Sequence, residues 1–468
     1  MFVRTHLCCA KNSERSCGVT TSWAMRYQMK KTAITATMAV GFCLCLAMFG
    51  TACEKSGIQE AVPLKYDAVR QFSDGMAAVM VGDQWGFIDK AGNEAVPLAY
   101  SSVKQFSEGL AAVREGDWRT GKWGFIDREG NVAVPFEYDG AGSFSGGLAR
   151  VTQDGKCGYI DKTGKIGIPF EYDAAADFSE GLAAVNIGAT NYGFDYTEGG
   201  KWGFIDKTGE MVVPAIYDSL HMAPADDGNL SPTGFHEGLA AVMAIEGDRA
   251  NWGFIDKTGK VVVPIEYEVV FDYCDGIAMV AVNAYYDHID LAAFDQAGRE
   301  VVLPGEYDLI YDFSEGLAAA RDGAWLDGKW GFIDKSGSEI LPFNYDEVGA
   351  GFSEGLVAVS AGEHIENGIY QEYVGKWGFV DKDGKAAVPM KYDYAAAFSD
   401  GMAAVNIGAA TDNSEGDLLP QGGKWGFINK KGKETVPCKY DSAEDFNEGM
   451  AAVCQGGKWG FLSRLNDN

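Results

Sequence analysis

Basic residues are scarce: 39 Lys and Arg stand against 67 Asp and Glu, for a formal net charge of −28 at pH 7. Nucleic-acid affinity comes largely from Lys and Arg displacing counterions from phosphates, so nucleic acid is not a ready partner. An acidic surface instead keeps a long chain soluble and monomeric. Histidine numbers five, and His221, His236, His288 and His364 lack metal spacing; they read as surface or turn residues. The ten cysteines include no C-x-x-C pair and no zinc spacing. Six lie at or before Cys53, leaving Cys157, Cys274, Cys438 and Cys454 as small substitutes for Ala, Val or Ser. Spacing leaves open whether Cys438 and Cys454 pair. Nucleophile elbows and phosphate loops are missing too, and Asp381-Lys382-Asp383-Gly384 matches only part of a calcium loop. Carboxylates such as Asp206 and Asp256 recur in many units, whereas a catalytic pair must be unique. The singular acidic cluster is Glu363, Glu366 and Glu372. The expectation is a protein that is not an enzyme and uses no cofactor or metal.

The N-terminal apolar stretch, Ala33 to Phe49, is about 17 residues, short for a stable membrane span. It follows Met29-Lys30-Lys31 and ends in Gly50-Thr51-Ala52-Cys53, the charged, apolar and small-residue order of an export signal. Residues 1–28 add nothing to such a signal, so translation starting at Met25 or Met29 fits equally. Small residues before a cysteine resemble the lipobox of bacterial lipoproteins, with Gly50 where that motif usually has Leu. The resemblance implies a lipid attached to Cys53 and anchorage to the bacterial cell envelope. Simple secretion and an uncleaved anchor are the alternatives.

What the chain has in quantity is glycine and aromatics: 61 Gly, 26 Phe, 21 Tyr and 11 Trp. Short strands joined by tight turns are the matching architecture. Trp-Gly-Phe-Ile-Asp begins at Trp85, Trp123, Trp202, Trp252 and Trp330, and at Trp425 with Asn429 in place of Asp, with variants at Trp377 and Cys157, a partial copy at Trp459 and a degraded one from Leu291 to Asp295. Proline follows twelve residues after each full copy, from Pro97 to Pro437, and Tyr three residues after every framework proline, Pro63 and Pro304 included. Phe-Ser-Glu-Gly and Leu-Ala-Ala-Val complete the unit. The motif Lys-Trp-Gly-Phe-Ile-Asp-Lys-Thr-Gly, whole from Lys201 to Gly209, resembles the bacterial WG repeat, also called the KWG repeat.

Period two puts Trp and Phe on one strand face and Gly and Ile on the other. The Gly removes bulk where another backbone or ring approaches. Asp-Lys-Thr-Gly is a tight turn, a second strand stops at proline, and Leu-Ala-Ala-Val is a third strand. Each unit reads as a three-stranded meander, with a fourth short strand at Tyr-Asp left open. A unit of about 35 residues cannot bury its aromatics alone, so neighbours must stack, and Trp85, Trp123, Trp202, Trp252, Trp330, Trp377, Trp425 and Trp459 are expected in the repeat core. Residues 1–52 form the leader, 53–61 a linker, 62–463 ten repeats and 464–468 a tail. Counting from Val62-Pro63 to Trp459-Gly460-Phe461 gives ten whole units without strand exchange between the ends. That phase favours an all-β, open, twisted, solenoid-like array; a closed β-propeller or two smaller propellers is the alternative.

Repeat length varies mainly between Leu-Ala-Ala-Val and the next Trp: six residues from Val79 to Trp85, but 17 from Val185 to Trp202, 18 from Val359 to Trp377 and 20 from Val405 to Trp425. Equivalent loops in a repeat array share one side, and binding residues concentrate on loops. Tyr192, Phe194, Tyr196, Tyr370 and Tyr373 are therefore the expected ligand contacts, alongside His364 on the second loop. Aromatics between polar residues suit a protein hot spot or the faces of sugars. The expected role is a non-catalytic, exported scaffold for an envelope or extracellular protein, with envelope glycan binding as the alternative and a glycan-active enzyme further behind.

Overall fold

The Trp-Gly-Phe segments form strands because aromatic and β-branched residues pack well on a pleated surface, and each strand is third of four in a small antiparallel sheet. The structure, a computed structural model, describes residues 57–464 except 118, 192–196, 225–229, 285–288, 302, 304–306, 324–327, 368–369 and 411–420. Blade 5 shows the order: Ser219–Leu220, Leu239–Glu246, Arg249–Asp256 and Val261–Tyr267. The Tyr-Asp segment thus leads into a fourth, two-residue strand. Blades 1 to 9 span Ala68–Tyr100, Ser102–Tyr138, Gly140–Tyr172, Ala174–Tyr217, Ser219–Tyr267, Val269–Val301, Leu309–Tyr345, Glu347–Tyr392 and Tyr394–Tyr440. Blade 10 combines Ser442–Arg464 with Ile58–Tyr66.

That last combination overturns the open array. Each Trp-Gly-Phe strand pairs on one side with the strand before it and on the other with the proline strand after it, as Trp85 faces Met80 and Tyr100. For Lys458–Arg464 the proline strand comes from the other end of the repeat region: Ile58 pairs with Arg464, Val62 with Phe461 and Tyr66 with Trp459. The sheets therefore close into one ten-bladed β-propeller rather than a solenoid or two propellers. Cutting the repeats between Phe and proline assigns Pro63 to a first unit, whereas its strand completes the last.

Closure is repeated in the core, which consists of ten apolar clusters, each between two successive blades. The cluster joining blades 10 and 1 holds Val62, Tyr66 and Phe461 against Phe72, Val79 and Ile88. Both faces of the third strand are covered: Phe87 packs towards blade 2, 4.7 Å from Phe106, while Ile88 packs towards blade 10. Phe, more than Trp, fills this core. Phe87, Phe125, Phe204, Phe332 and Phe427 are fully buried, and of the repeat tryptophans Trp123 and Trp330 are buried while Trp85, Trp202, Trp252, Trp377, Trp425 and Trp459 are half-buried.

The Gly of Trp-Gly is needed for space. A Cβ on Gly86 would stand 2.6 Å from Val96 O, and one on Gly426 2.5 Å from Val436 O, because the proline strand bulges across this point. In blade 6 Ala292 replaces this Gly, and Ala293 and Phe294 pair the consecutive residues Val301 and Glu300. Elsewhere the bulge intervenes: Phe204 and Ile205 pair Val213 and Met211. The four body cysteines are all unbridged; Cys438 lies in blade 9 and Cys454 in blade 10.

Candidate functional site

Antiparallel order sorts the connections onto two faces. The Phe-Ser-Glu-Gly and Asp-Lys-Thr-Gly turns share one, which we call the turn face. The hairpins that carry the insertions share the other with the Tyr-Asp junctions, which we call the hairpin face. Each face is stitched by its own ring of charge-assisted bonds.

On the hairpin face, the Asp after Tyr bridges two blades. Asp67 accepts from Lys458 of blade 10 at 2.6 Å and from the Gly82 N–H of blade 1 at 2.9 Å. The same pair of donors reaches Asp173 (Lys156, Gly188), Asp218 (Lys201, Ile245), Asp393 (Lys376, Gly408) and Asp441 (Lys424, Gly456), as well as Asp139 and Asp346. The Lys of Lys-Trp-Gly is thus an inter-blade residue. Sequence reasoning missed it although a signal existed: Lys and Asp stand 17 positions apart, and where Gln84 or Asn251 replaces Lys, Ser101 or Glu268 replaces Asp.

On the turn face, Ser73 Oγ donates to Phe106 O of the next blade at 2.8 Å, and the series runs round to Asn447 Nδ2 on Phe72 O at 2.8 Å. His236 takes the Ser place, its Nδ1 2.9 Å from Tyr273 O. The acid that follows accepts from the next blade: Glu448 Oε2 lies 3.0 Å from both the Gly75 N–H and Lys90 Nζ, and Glu180 Oε2 lies 3.0 Å from both the Gly238 N–H and Lys257 Nζ. These acids sit at φ of 47 to 54°, from Glu237 to Asp74 and Glu354. A non-glycine residue there costs about 1–2 kcal/mol. That strain recurs at nine blades, each time at an acid whose carboxylate accepts the glycine amide of the next blade.

Seven of the ring carboxylates titrate low. The bonds from Lys458 and the Gly82 amide hold Asp67 below the ordinary range, and those from Lys424 and Gly456 do the same for Asp441. For Asp173, Asp218, Glu108, Glu180 and Asp275, burial alone would raise the carboxyl; bonds from lysine and backbone amides outweigh it, and each is lowered. A carboxyl lowered by folding contributes stability that is present above its unfolded pKa and lost as pH falls through the folded one. Urea midpoints measured from pH 6 to pH 2.5 are therefore expected to drop steeply below about pH 4. Asp173→Asn should flatten that slope. An unchanged slope in Asp173→Asn would deny this ring carboxylate a part in it.

The insertion of blade 5, with Met222–Pro224 paired to Leu230–Pro232, leaves the turn face, and the three between Leu-Ala-Ala-Val and Trp leave the hairpin face. They prolong Leu182–Asn191 with Thr197–Asp206, Leu356–Asn367 with Tyr370–Asp381, and Met402–Ala410 with Gln421–Asn429. Tyr192, Phe194 and Tyr196 lie outside the described residues. Tyr370 pairs with Asn367 and Tyr373 with His364 along the blade 8 hairpin, which also carries Glu363, Glu366 and Glu372 in its backbone register. Closure sets the grouping: blades 8 and 9 are neighbours, and blade 4, five blades from blade 9, stands across the ring. Blades 4 and 9 start their insertions identically, with Asn186-Ile187-Gly188-Ala189 and Asn406-Ile407-Gly408-Ala409. Each Asn is fully buried and donates to a glycine carbonyl of the returning strand, Gly199 or Gly422, at 3.2 Å. The following Ile187 and Ile407 are exposed, at 46% and 45%, as is Ile245 of blade 5. Among the described residues no cluster of His, Cys, Asp and Glu could hold a metal.

A four-stranded blade repeated ten times on a Trp-Gly framework defines a repeat propeller, and the family comparison agrees. The model of the WG-containing repeat matches ten times: residues 59–85, 85–117, 123–157, 158–189, 202–223, 252–286, 294–324, 330–363, 377–409 and 425–459. The chain belongs to the WG-containing repeat family. No curated protein matches the sequence. Among solved structures, the crystal structure of the eukaryotic initiation factor is 12% identical with a TM-score of 0.45, over 87% of this chain and 93% of that one. Porphyromonas gingivalis dipeptidyl peptidase 4 is 11% identical with a TM-score of 0.36, over 74% of this chain and 65% of that one. At such scores neither informs the activity or partners of this chain.

Proposed function

We propose that this protein is a non-catalytic scaffold of the bacterial cell envelope, lipid-anchored through Cys53, that binds an envelope or extracellular protein on its hairpin face. The observation that carries this reading is the asymmetry of the two faces. The turn face is built of short, closely similar turns engaged in bonds between blades, broken once by the paired strands Met222–Pro224 and Leu230–Pro232 of blade 5. The hairpin face carries three prolonged hairpins, with exposed Ile187, Ile245 and Ile407 where strands leave the bonded ring. Exposed apolar side chains at such a surface fit a partner interface. An envelope glycan stacked on the loop aromatics is the second reading, favoured by the tyrosines of the blade 4 and blade 8 insertions.

The test is capture of partners from the native envelope by mature 53–468 protein, run beside a glycan array. Replacing Tyr192, Phe194, Tyr370 and Tyr373 with Ser is expected to weaken the identified ligand more than tenfold, about 1.4 kcal/mol, with the melting temperature nearly unchanged. Full binding after that replacement removes the hairpin aromatics from the interface; sugar binding without a protein partner selects the glycan reading. Intact mass of the membrane-bound protein, with Cys53→Ser as control, tests the anchor separately.

A further inference from the structure

The turn-face ring has nine acids for ten seams. Between blades 3 and 4 the turn reads Phe144-Ser145-Gly146-Gly147, so the acid position is Gly146. The neighbouring bonds are intact: Ser145 Oγ donates to Phe178 O at 2.6 Å, and the Gly147 N–H donates back to Glu108 Oε2 at 3.1 Å. Gly146 has φ of 62°, close to the 47–54° of the nine acids. The backbone is therefore shaped for an acid that the chain does not supply.

The two donors that meet that acid at the other seams are present. They are the Gly181 N–H and Lys207 Nζ of blade 4, equivalent to the Gly147 N–H and Lys162 at the preceding seam and to the Gly401 N–H and Lys430 at the seam of blades 8 and 9. In those seams amide and ammonium meet one carboxylate at 3.0–3.1 Å. Lys207 is exposed and has no ion pair among the described residues, and its ammonium leans over Gly146, where an added Cβ would collide with it. The end of a lysine is the easiest of groups to move aside.

We propose that the seam between blades 3 and 4 is a receptor for an external carboxylate, which takes the place of the missing acid between the Gly181 N–H and Lys207. The chemistry is set by nine equivalent seams of the same ring, each holding a carboxylate on a glycine amide of the next blade and six of them pairing it with a lysine as well. An aspartate or glutamate side chain of a partner and a small aliphatic acid both present that group. The site lies on the turn face and is independent of the hairpin-face reading. Propionate is the natural probe, since it is the glutamate side chain cut free of its backbone.

The protein is selectively labelled with ¹⁵N-glycine and titrated with propionate against chloride at matched ionic strength. A saturable shift of the Gly181 amide resonance is expected. Gly146→Glu should abolish the shift because the protein's own carboxylate then occupies the cradle. Lys207→Met, an exposed substitution that leaves the fold alone, should weaken propionate roughly tenfold. A hexaglutamate peptide that binds much more tightly than propionate assigns the site to a partner's side chain; equal affinity per carboxylate assigns it to a small acid. A Gly181 amide that does not respond, or responds equally in Gly146→Glu or Lys207→Met, overturns the proposal.

Discussion

Removal of residues 57–66 is expected to abolish cooperative folding of the whole ring, although it deletes a single strand. Ile58–Tyr66 is the outer strand of blade 10, and Val62 and Tyr66 are 0% and 3% exposed in the core that joins blade 10 to blade 1. Deleting it uncovers Phe461, leaves the Lys458–Arg464 edge unpaired and removes the pairing inside blade 10 through which the two ends of the repeat region close the ring without a covalent link. The loss is expected at about 5 kcal/mol or more, comparable with the whole stability of many domains. Replacing 411–420 with an Asn-Gly turn shortens an insertion by about as much and should cost little. Urea melts of the two variants decide the matter. A strand deletion that melts like the full chain would show that the ring does not depend on this closure.

The second large effect is at the repeated Phe. Phe427 is 0% exposed between blades 9 and 10, its ring 4.9 Å from Phe446. Phe427→Ala is expected to cost about 3–5 kcal/mol, the range for truncating a large aromatic in a close-packed core. Trp425→Ala, two residues earlier, should cost less, because Trp425 is half-buried at the margin of the same cluster. Thermal melts in which Trp425→Ala is the more damaging would reverse the assignment of the core to Phe. The motif is recognised by its Trp, yet the deeper packing lies at the Phe.

Much of this was legible in residues. Asp206 bonds the Thr208 and Glu210 amides of its own turn, as an Asp in Asp-Lys-Thr-Gly should, and Gly209 takes φ of 85°. The Gly of Trp-Gly does meet a crossing backbone. Other features had a signal that a single unit does not reveal: Lys201 and Asp218 lie in one repeat, but the bond they share also holds the Ile245 amide of the next. The carboxylate cradle at Gly146 likewise appears as one more flexible turn until the nine equivalent acids are seen to be bonded.

The sequence by itself determined the strands, the turns, the number of repeats and the positions of the insertions, because each depends on local periodicity and local backbone chemistry. Only the tertiary structure decided that the array closes, that Pro63 belongs to the last blade, and that the hairpin of blade 4 stands across the ring from that of blade 9. Those outcomes depend on how much each blade turns relative to its neighbour and on whether the two ends of the array meet. A small angle per repeat, accumulated over ten blades, separates a ring from a solenoid. No residue encodes that angle alone; it is set by the packing of Phe, Ile and Val between every pair of blades.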